Sequence, residues 1–400
     1  MLAGVTAGRS ETPATIAEVQ QVFRSCAARG DTLSFVGGGT ELGLGNPPER
    51  ADVLVRTERL NRIVEYAAGD MTITLEAGVT LGDLQRTVGS QGQRLALDPP
   101  LPGIATLGGL LATNAFGPRR TRFGTLRDLI VGVTIVRADG VVVRGGGKVV
   151  KNVAGFDLPK LMVGSLGTLG MIARATLRLH PLPEAKRWLH VVVESPSAVR
   201  DLSRALVEHQ LEASAVMASG PWGVDHWDFM VLFEGFSAGV DQQSETFSNL
   251  ARRRGLKPSV DGDLLRDADA RTRSHGALRL RLSAPPAQFE LLAGEALAPL
   301  TAAFDATRDY NVVTYPLLGA AFISGEPREP AALSEALGKA RHVLEAAGGN
   351  LVVTYCEDPA LVAQFERFGT APGSFFLMKR LKERFDPERR LNRGRFLGGL

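Results

Sequence analysis

Cysteine is nearly absent from this chain: Cys26 and Cys356 are the only two among 400 residues, and neither belongs to a CxxC. That excludes an iron–sulfur cluster or zinc ion held by cysteines. Cys26 shares an apolar helical face with Ile16, Val19, Val22 and Phe23, the setting of a packed thiol. Long hydrophobic runs are missing too. No stretch reaches the roughly 18 apolar residues that a membrane span needs. The N-terminus shows no basic segment followed by an apolar run, so no secretory leader is expected. Excess charge is small, formally +3 and scattered, which argues against nucleic acid as a partner. Together these absences point to a reducing cytoplasm.

Glycine is the opposite case. There are 45, many in short clusters, the pattern of backbone brought close to a ligand. With 44% hydrophobic and 22% charged residues the chain reads as globular, and its length implies two domains. Thr12-Pro13 is expected to open a helix that Gly30 closes. Strands are expected at Thr32–Val36, Asp52–Thr57 and Met71–Ala77, then a helix at Thr80–Val88. Asp98–Gly124 is rich in Gly, Pro and small residues. Leu129–Arg137 and Val141–Arg144 read as strands joined through Asp139-Gly140. A short helix, Asp157–Val163, and a strand, Met171–Leu179, follow. After His180-Pro181-Leu182-Pro183 the glycine clusters stop. Strand-like runs (Leu189–Val193, Phe229–Phe233, Ala277–Leu282, Leu351–Tyr355) then alternate with helical ones (Ala198–Gln210, Gln243–Arg253, Pro286–Leu297, Pro330–Ala347), an α+β pattern.

The glycine clusters carry the chemistry. Gly37-Gly38-Gly39-Thr40 directly follows a strand, so consecutive N–H groups can face one way and cradle a phosphate. A Rossmann fingerprint starting at Gly37 fails at Leu42, a Walker loop fails at Val149 after Gly147-Lys148, and a nucleophile elbow at Ser165 fails at Val163. Taken alone, the triple glycine is open to both a plain tight turn and a phosphate site. A second cluster, Pro102-Gly103-Ile104-Ala105-Thr106-Leu107-Gly108-Gly109, leads into a short helix, Leu110–Asn114. A third, Gly164-Ser165-Leu166-Gly167-Thr168-Leu169-Gly170, enters a strand at Met171-Ile172. Three such clusters in one strand-rich region point to a cofactor cradle rather than three unrelated turns.

At these residues the chain resembles the FAD-binding family of vanillyl-alcohol oxidase and p-cresol methylhydroxylase (PCMH). Within that family it is most similar to the FAD-binding subunits of bacterial glycolate oxidases. The likeness rests on Gly37-Gly38-Gly39-Thr40, Thr106-Leu107-Gly108-Gly109, Gly117-Pro118-Arg119-Arg120, Arg127-Asp128, the run from Lys151-Asn152-Val153-Ala154-Gly155-Phe156-Asp157-Leu158 through Gly170, and Asp386-Pro387 with Asn392-Arg393-Gly394. It implies an α+β architecture: a two-subdomain PCMH-type FAD-binding domain over 1–185, an α+β cap domain over 186–378, and a C-terminal segment, 379–400, returning to the FAD domain. Gly37, Gly38, Gly39, Thr40 and Glu41 would offer N–H groups to the FAD pyrophosphate. Thr106, Gly108, Gly109, Thr113 and Asn114 would line the ribityl–pyrophosphate path and the flavin edge, and Gly117 would let the chain turn away. Gly167 and Ile172 would sit by the cofactor, the Ile172 backbone reading the pyrimidine edge, and Asn392 would bring the tail to the flavin.

Departures from the family pattern shape the expected chemistry. Covalent relatives often place a His after the first glycines; Thr40 stands here, so FAD is expected to be dissociable. Val36 and Glu41 occupy positions where many relatives have Arg and Ser or Lys. Stand-alone D-2-hydroxy-acid dehydrogenases of the family cluster histidines around a metal. Here His180, His190, His209, His226, His275 and His342 are dispersed, so neither a metal site nor a catalytic residue is assigned. Arg119, Arg120 and Arg122 suit either a surface or a phosphate or carboxylate contact. The basic runs Arg252-Arg253-Arg254 and Lys379–Arg395 suit solvated faces or an acidic partner. Trp222 and Trp227 suit core packing or a pocket cap. The resemblance implies an FAD-carrying subunit of a glycolate-oxidase-type complex acting on a small 2-hydroxy acid. Its partners would be a second flavin subunit and an iron–sulfur subunit, the latter passing electrons onward, with the assembly cytoplasmic or peripheral to the inner membrane. A self-sufficient flavin dehydrogenase and a structural subunit that no longer turns over flavin are the alternatives.

Overall fold

The computed structural model describes residues 5–147, 156–220, 226–260, 264–304, 311–358, 361 and 365–400. The Lys151–Gly155 part of the family-like run and Trp222 lie outside them. The chain forms two compact units, one of Met1–Phe116, Gly124–Leu182 and Thr370–Leu400, the other of Gly117–Phe123 and Pro183–Gly369.

The first unit holds two main sheets. Strands Arg9–Glu11, Val53–Arg56 and Leu33–Val36 lie parallel in that order. Helix Ile16–Arg29 contributes Val19, Phe23 and Cys26 to the core there. It starts at Thr15, not Thr12. Thr15 Oγ1 accepts from the Glu18 N–H at 3.1 Å while Glu18 accepts from the Ala14 N–H at 2.8 Å, a reciprocal cap stronger than a Thr-Pro start. Gly30 closes the helix at φ 69°. The second sheet is antiparallel, in the order Ile63–Ala67, Thr72–Glu76, Met171–Arg178, Ile130–Val136, Val142–Gly146. Its hairpin turns at Gly140, φ 75°, where the sequence placed it. One face packs on helices Leu81–Gly89, Leu107–Thr113, Leu126–Leu129 and Leu158–Met162. Val136, Ala138, Met171 and Ala173 join Phe23, Leu33 and Val53 in the core shared with the parallel sheet.

Among the described residues the second unit is one antiparallel sheet of eight strands, with Asn311–Tyr315 and Ala320–Gly325 near its centre. Helices Pro196–Glu208, Ser237–Arg253 and Pro330–Ala346 share its main core. The helix expected over Pro286–Leu297 is broken into a 3₁₀ turn, a π-helical turn at Leu291–Glu295 and a short helix, Ala298–Ala303. Pro299, at the start of that last helix, has no N–H for the Glu295 carbonyl, so α-helical pairing cannot run through. Trp227 is core, 4% exposed, and no described helix is long and apolar enough to cross a membrane.

Glu76 ties the strand under the second glycine cluster to the Arg62 turn. Its fully buried carboxylate accepts from Arg62 Nη2 at 2.8 Å and from the Arg62 backbone N–H at 3.1 Å, with Arg174 Nη2 3.6 Å away. Burial alone would raise a carboxyl, but these bonds and charges outweigh it and hold Glu76 below its ordinary value. A depressed acid stabilises the fold above its unfolded value and loses that contribution as pH falls through the folded one. Glu76→Gln should therefore lower urea-denaturation stability by about 1.5–3 kcal/mol at pH 7. The gap to wild type should close below roughly pH 4; a gap unchanged at pH 3 contradicts this account.

Candidate functional site

All three glycine clusters open on one cleft in the first unit. Gly37–Leu42 leave the parallel sheet and Thr106, Gly108, Gly109, Ala112 and Thr113 begin and follow the helix at Leu107. Leu166, Gly167 and Gly170–Ile172 enter the antiparallel sheet, and Asn392 and Arg395 come from the C-terminal segment. Phe35, Val36 and Thr57 complete the wall.

The glycines serve two different purposes. A Cβ on Gly37 would lie 2.0 Å from Thr106 Oγ1, one on Gly38 1.7 Å from the Ile104 carbonyl oxygen, and one on Gly108 2.8 Å from Ala77 Cβ. These three let protein segments touch. Gly39, at φ 78°, and Gly109 would meet nothing nearer than 3.7 and 3.4 Å, so they keep the cleft itself clear. Among the described residues, the N–H groups of Gly39 and Thr40 have no protein acceptor.

The C-terminal segment locks the first and third clusters together. Asn392, 5% exposed with φ 41°, donates through Nδ2 to the Leu166 carbonyl at 2.6 Å and accepts through Oδ1 from the Phe35 N–H at 3.3 Å. Its own N–H donates to Leu33, and Leu33 donates to Arg390, both at 2.8 Å. Behind it, Lys382 Nζ donates to the Thr168 carbonyl at 2.9 Å, the Leu391 carbonyl at 3.0 Å and the Asp386 carboxylate at 2.7 Å. Burial pushes the Lys382 ammonium below its usual value, and Asp386 offsets part of that. Arg395 Nη2 donates to the Leu42 and Leu44 carbonyls and so holds the turn after the triple glycine. Lys382, Arg390 and Arg395 are thus buried inside the unit, while Lys379, Arg380, Arg384 and Arg389 stay exposed, so the reading of Lys379–Arg395 as a solvated or partner-facing run applies only to those four.

Of the residues singled out in the sequence, Gly37, Gly38, Gly39, Thr40, Glu41, Thr106, Gly108, Gly109, Thr113, Gly167, Ile172 and Asn392 line the cleft. Asn114 does not; it ends the helix at φ 51°, its Oδ1 buried without a partner among the described residues. Gly117 belongs to the second unit. There Arg119 Nη2 lies 2.7 Å from Glu234, whose side chain is 1% exposed, and Arg122 Nη2 lies 2.9 Å from Glu212. The buried Glu234 carboxylate demands such a partner, whereas Glu212 is exposed and pairs with Arg122 at the surface; both arginines are already engaged. Sequence reasoning passed over Thr57 and Arg395; the position of Thr57 just past a strand parallel to Leu33–Val36 is a signal that could have found it.

The cleft suits a cofactor that joins a diphosphate to a flat ring. It offers unpaired N–H groups at a glycine turn, clear space before Gly109, and a buried, unpartnered hydroxyl on Thr57. Residues 11–146 match the family described as FAD binding domain. The chain is 34% identical over 186 residues to the glycolate oxidase subunit GlcD of Bacillus subtilis, covering 46% of this chain and 40% of that protein. It is 36% identical over 172 residues to the glycolate oxidase subunit GlcE of Escherichia coli, covering 43% and 49%. It is 35% identical over 171 residues to the D-2-hydroxyglutarate dehydrogenase of Xanthomonas citri, covering 43% and 36%. The matches therefore span at most about half of these relatives. The fold is that of p-cresol methylhydroxylase, at a TM-score of 0.74 and 16% identity over 96% of this chain and 88% of that one. Alkyldihydroxyacetonephosphate synthase shares it, at a TM-score of 0.71 and 17% identity over 96% and 76%.

The two kinds of glycine give opposite expected phenotypes. Gly109→Val should fold with a melting temperature near wild type yet retain under a tenth of the FAD. Gly108→Val should itself lose about 1–3 kcal/mol of stability through overpacking against Ala77. Flavin content after purification and thermal melting read both; a fully loaded Gly109→Val protein would mean that the ring does not pass there.

Proposed function

We propose that this chain is the FAD-carrying subunit of a glycolate-oxidase-type complex that oxidises a small 2-hydroxy acid. The observation that carries the reading is the convergence of three glycine turns and Asn392 on one cleft within an FAD-binding domain. The Gly39 and Thr40 N–H groups would hold the diphosphate, while Gly37 and Gly38 set the turn that carries them. Thr106, Gly109, Thr113, Gly167, Ile172 and Asn392 would line the rest of the cofactor's site. Bound FAD supplies two-electron oxidation chemistry. Phe35, Val36, Ala112, Leu166 and Met171 make the wall largely apolar, which limits water around a bound ring.

None of the six histidines lines the cleft. His190 Nε2 pairs with Asp228 at 2.8 Å, and His209 Nδ1 lies 3.0 Å from the Ala205 carbonyl. We therefore assign the base that takes the substrate hydroxyl proton to a second flavin subunit, with an iron–sulfur subunit carrying electrons onward. The assembly would be cytoplasmic and reach the inner membrane only through those partners. Thr40 at the position of a linking His supports noncovalent FAD.

Two measurements test the proposal. Acid precipitation of the purified yellow protein should leave the colour in the supernatant; colour in the pellet would contradict noncovalent binding. In stopped flow with glycolate and D-lactate, the chain alone should bleach at least about a hundredfold more slowly than with its partners, the scale of a missing base. Fast bleaching by the chain alone would make it a self-sufficient dehydrogenase.

A further inference from the structure

Thr57 is the least explained polar side chain in the cleft. It follows the strand Val53–Arg56, and its backbone is held from several sides. Its N–H donates to the Val36 carbonyl at 3.0 Å, its carbonyl accepts from the Leu60 N–H at 2.9 Å, and Gly78 packs so tightly that a Cβ there would lie 1.9 Å from that carbonyl. The residue is 5% exposed, yet among the described residues its Oγ1 has no hydrogen-bond partner. A buried hydroxyl left unpaired is unfavourable, and a native fold rarely keeps one without a use.

The surroundings supply the use. Thr106, the other threonine beside Gly37, is engaged: its Oγ1 accepts from the Gly38 N–H at 3.3 Å. A Cβ on Gly37 would strike Thr106 Oγ1 and stand 3.5 Å from Thr57 Oγ1. Glycine at 37 thus also keeps the space beside the Thr57 hydroxyl clear. Ser34 has an unpartnered buried hydroxyl as well, but it does not line the cleft; Thr57 does, beside the turn whose Gly39 and Thr40 N–H groups lack acceptors. Two backbone donors and one hydroxyl donor without acceptors, all lining one cleft, match an anion with several oxygens.

We infer that the Thr57 hydroxyl donates a hydrogen bond to the diphosphate of the bound cofactor, and so serves as a binding residue outside the three glycine clusters. The inference rests on the placement of FAD in this cleft. It gives the hydroxyl the charged acceptor that the protein withholds.

The experiment uses the full-length apoprotein, titrated with FAD and with ADP, which carries the diphosphate without the flavin. Thr57→Val keeps the shape and removes the hydroxyl. Its melting temperature without ligand should equal or exceed wild type, because an unpaired polar atom is gone. Its Kd for FAD should rise roughly ten- to hundredfold, the range for a hydrogen bond to a charged group, and the Kd for ADP by a similar factor. Thr57→Ser keeps the hydroxyl and should stay within a few-fold of wild type. Should valine impair folding, Thr57→Ala against Thr57→Ser makes the same comparison, since both lack the methyl group. Wild-type FAD affinity in Thr57→Val or Thr57→Ala overturns the inference. If Gly109→Val also binds FAD normally, the cleft assignment falls with it; if Gly109→Val loses FAD, only the role of Thr57 is wrong.

Discussion

Everything near the cleft depends on a charge that has been taken out of water. An ammonium and a carboxylate each lose several kcal/mol on burial unless their bonding capacity is filled. Here it is filled. The three N–H groups of Lys382 meet Thr168, Leu391 and Asp386, and Asp386 also takes the backbone N–H groups of Arg390 and Leu391 at 3.0 and 2.8 Å. A pair satisfied in this way has one acceptable location, because any slip of the C-terminal segment would strand a charge. Its position sets Leu391 beside Leu33, and that in turn sets Asn392 between Phe35 and Leu166. The first and third glycine turns come together because a buried polar clasp holds them there.

That clasp lets the backbone stay bare where a ligand would lie. Side chains make most binding sites; this one is made largely of their absence, with Gly37, Gly38 and Gly108 permitting contacts between segments and Gly39 and Gly109 leaving room. The rigidity that glycine costs in conformational entropy is returned by fixed neighbours such as Asn392 and Arg395.

Much of this was legible in the sequence, for identifiable reasons. The clusters were visible because glycine in short runs after strands signals its conformational role directly, and the Asp139-Gly140 hairpin because its turn chemistry is local. Local competition misled the reading at Thr12, where the Thr15–Glu18 pair takes the cap. The strands Asn311–Tyr315 and Ala320–Gly325 went unread, and the broken helix after Pro286 was read as continuous. Lys382, Arg395 and Thr57 were missed for a different reason. A lysine four residues before an aspartate looks like any surface pair, and only the fold shows that it is buried. Gly117 and the arginines after it carry a family-like motif, yet the carboxylates that claim Arg119 and Arg122 lie about a hundred residues downstream in sequence.

The bond from Asn392 to Phe35 joins residues 357 apart. Contacts of that separation are slow to form, since the loop they close is long. During synthesis the triple-glycine turn leaves the ribosome hundreds of residues before the segment that fixes it. Until then the edge of strand Leu33–Val36 that meets Arg390 and Leu391 has no strand beside it, the exposed state that chaperones exist to shield. The cleft is therefore complete only once the C-terminal segment has been made, however early its glycine loops appear.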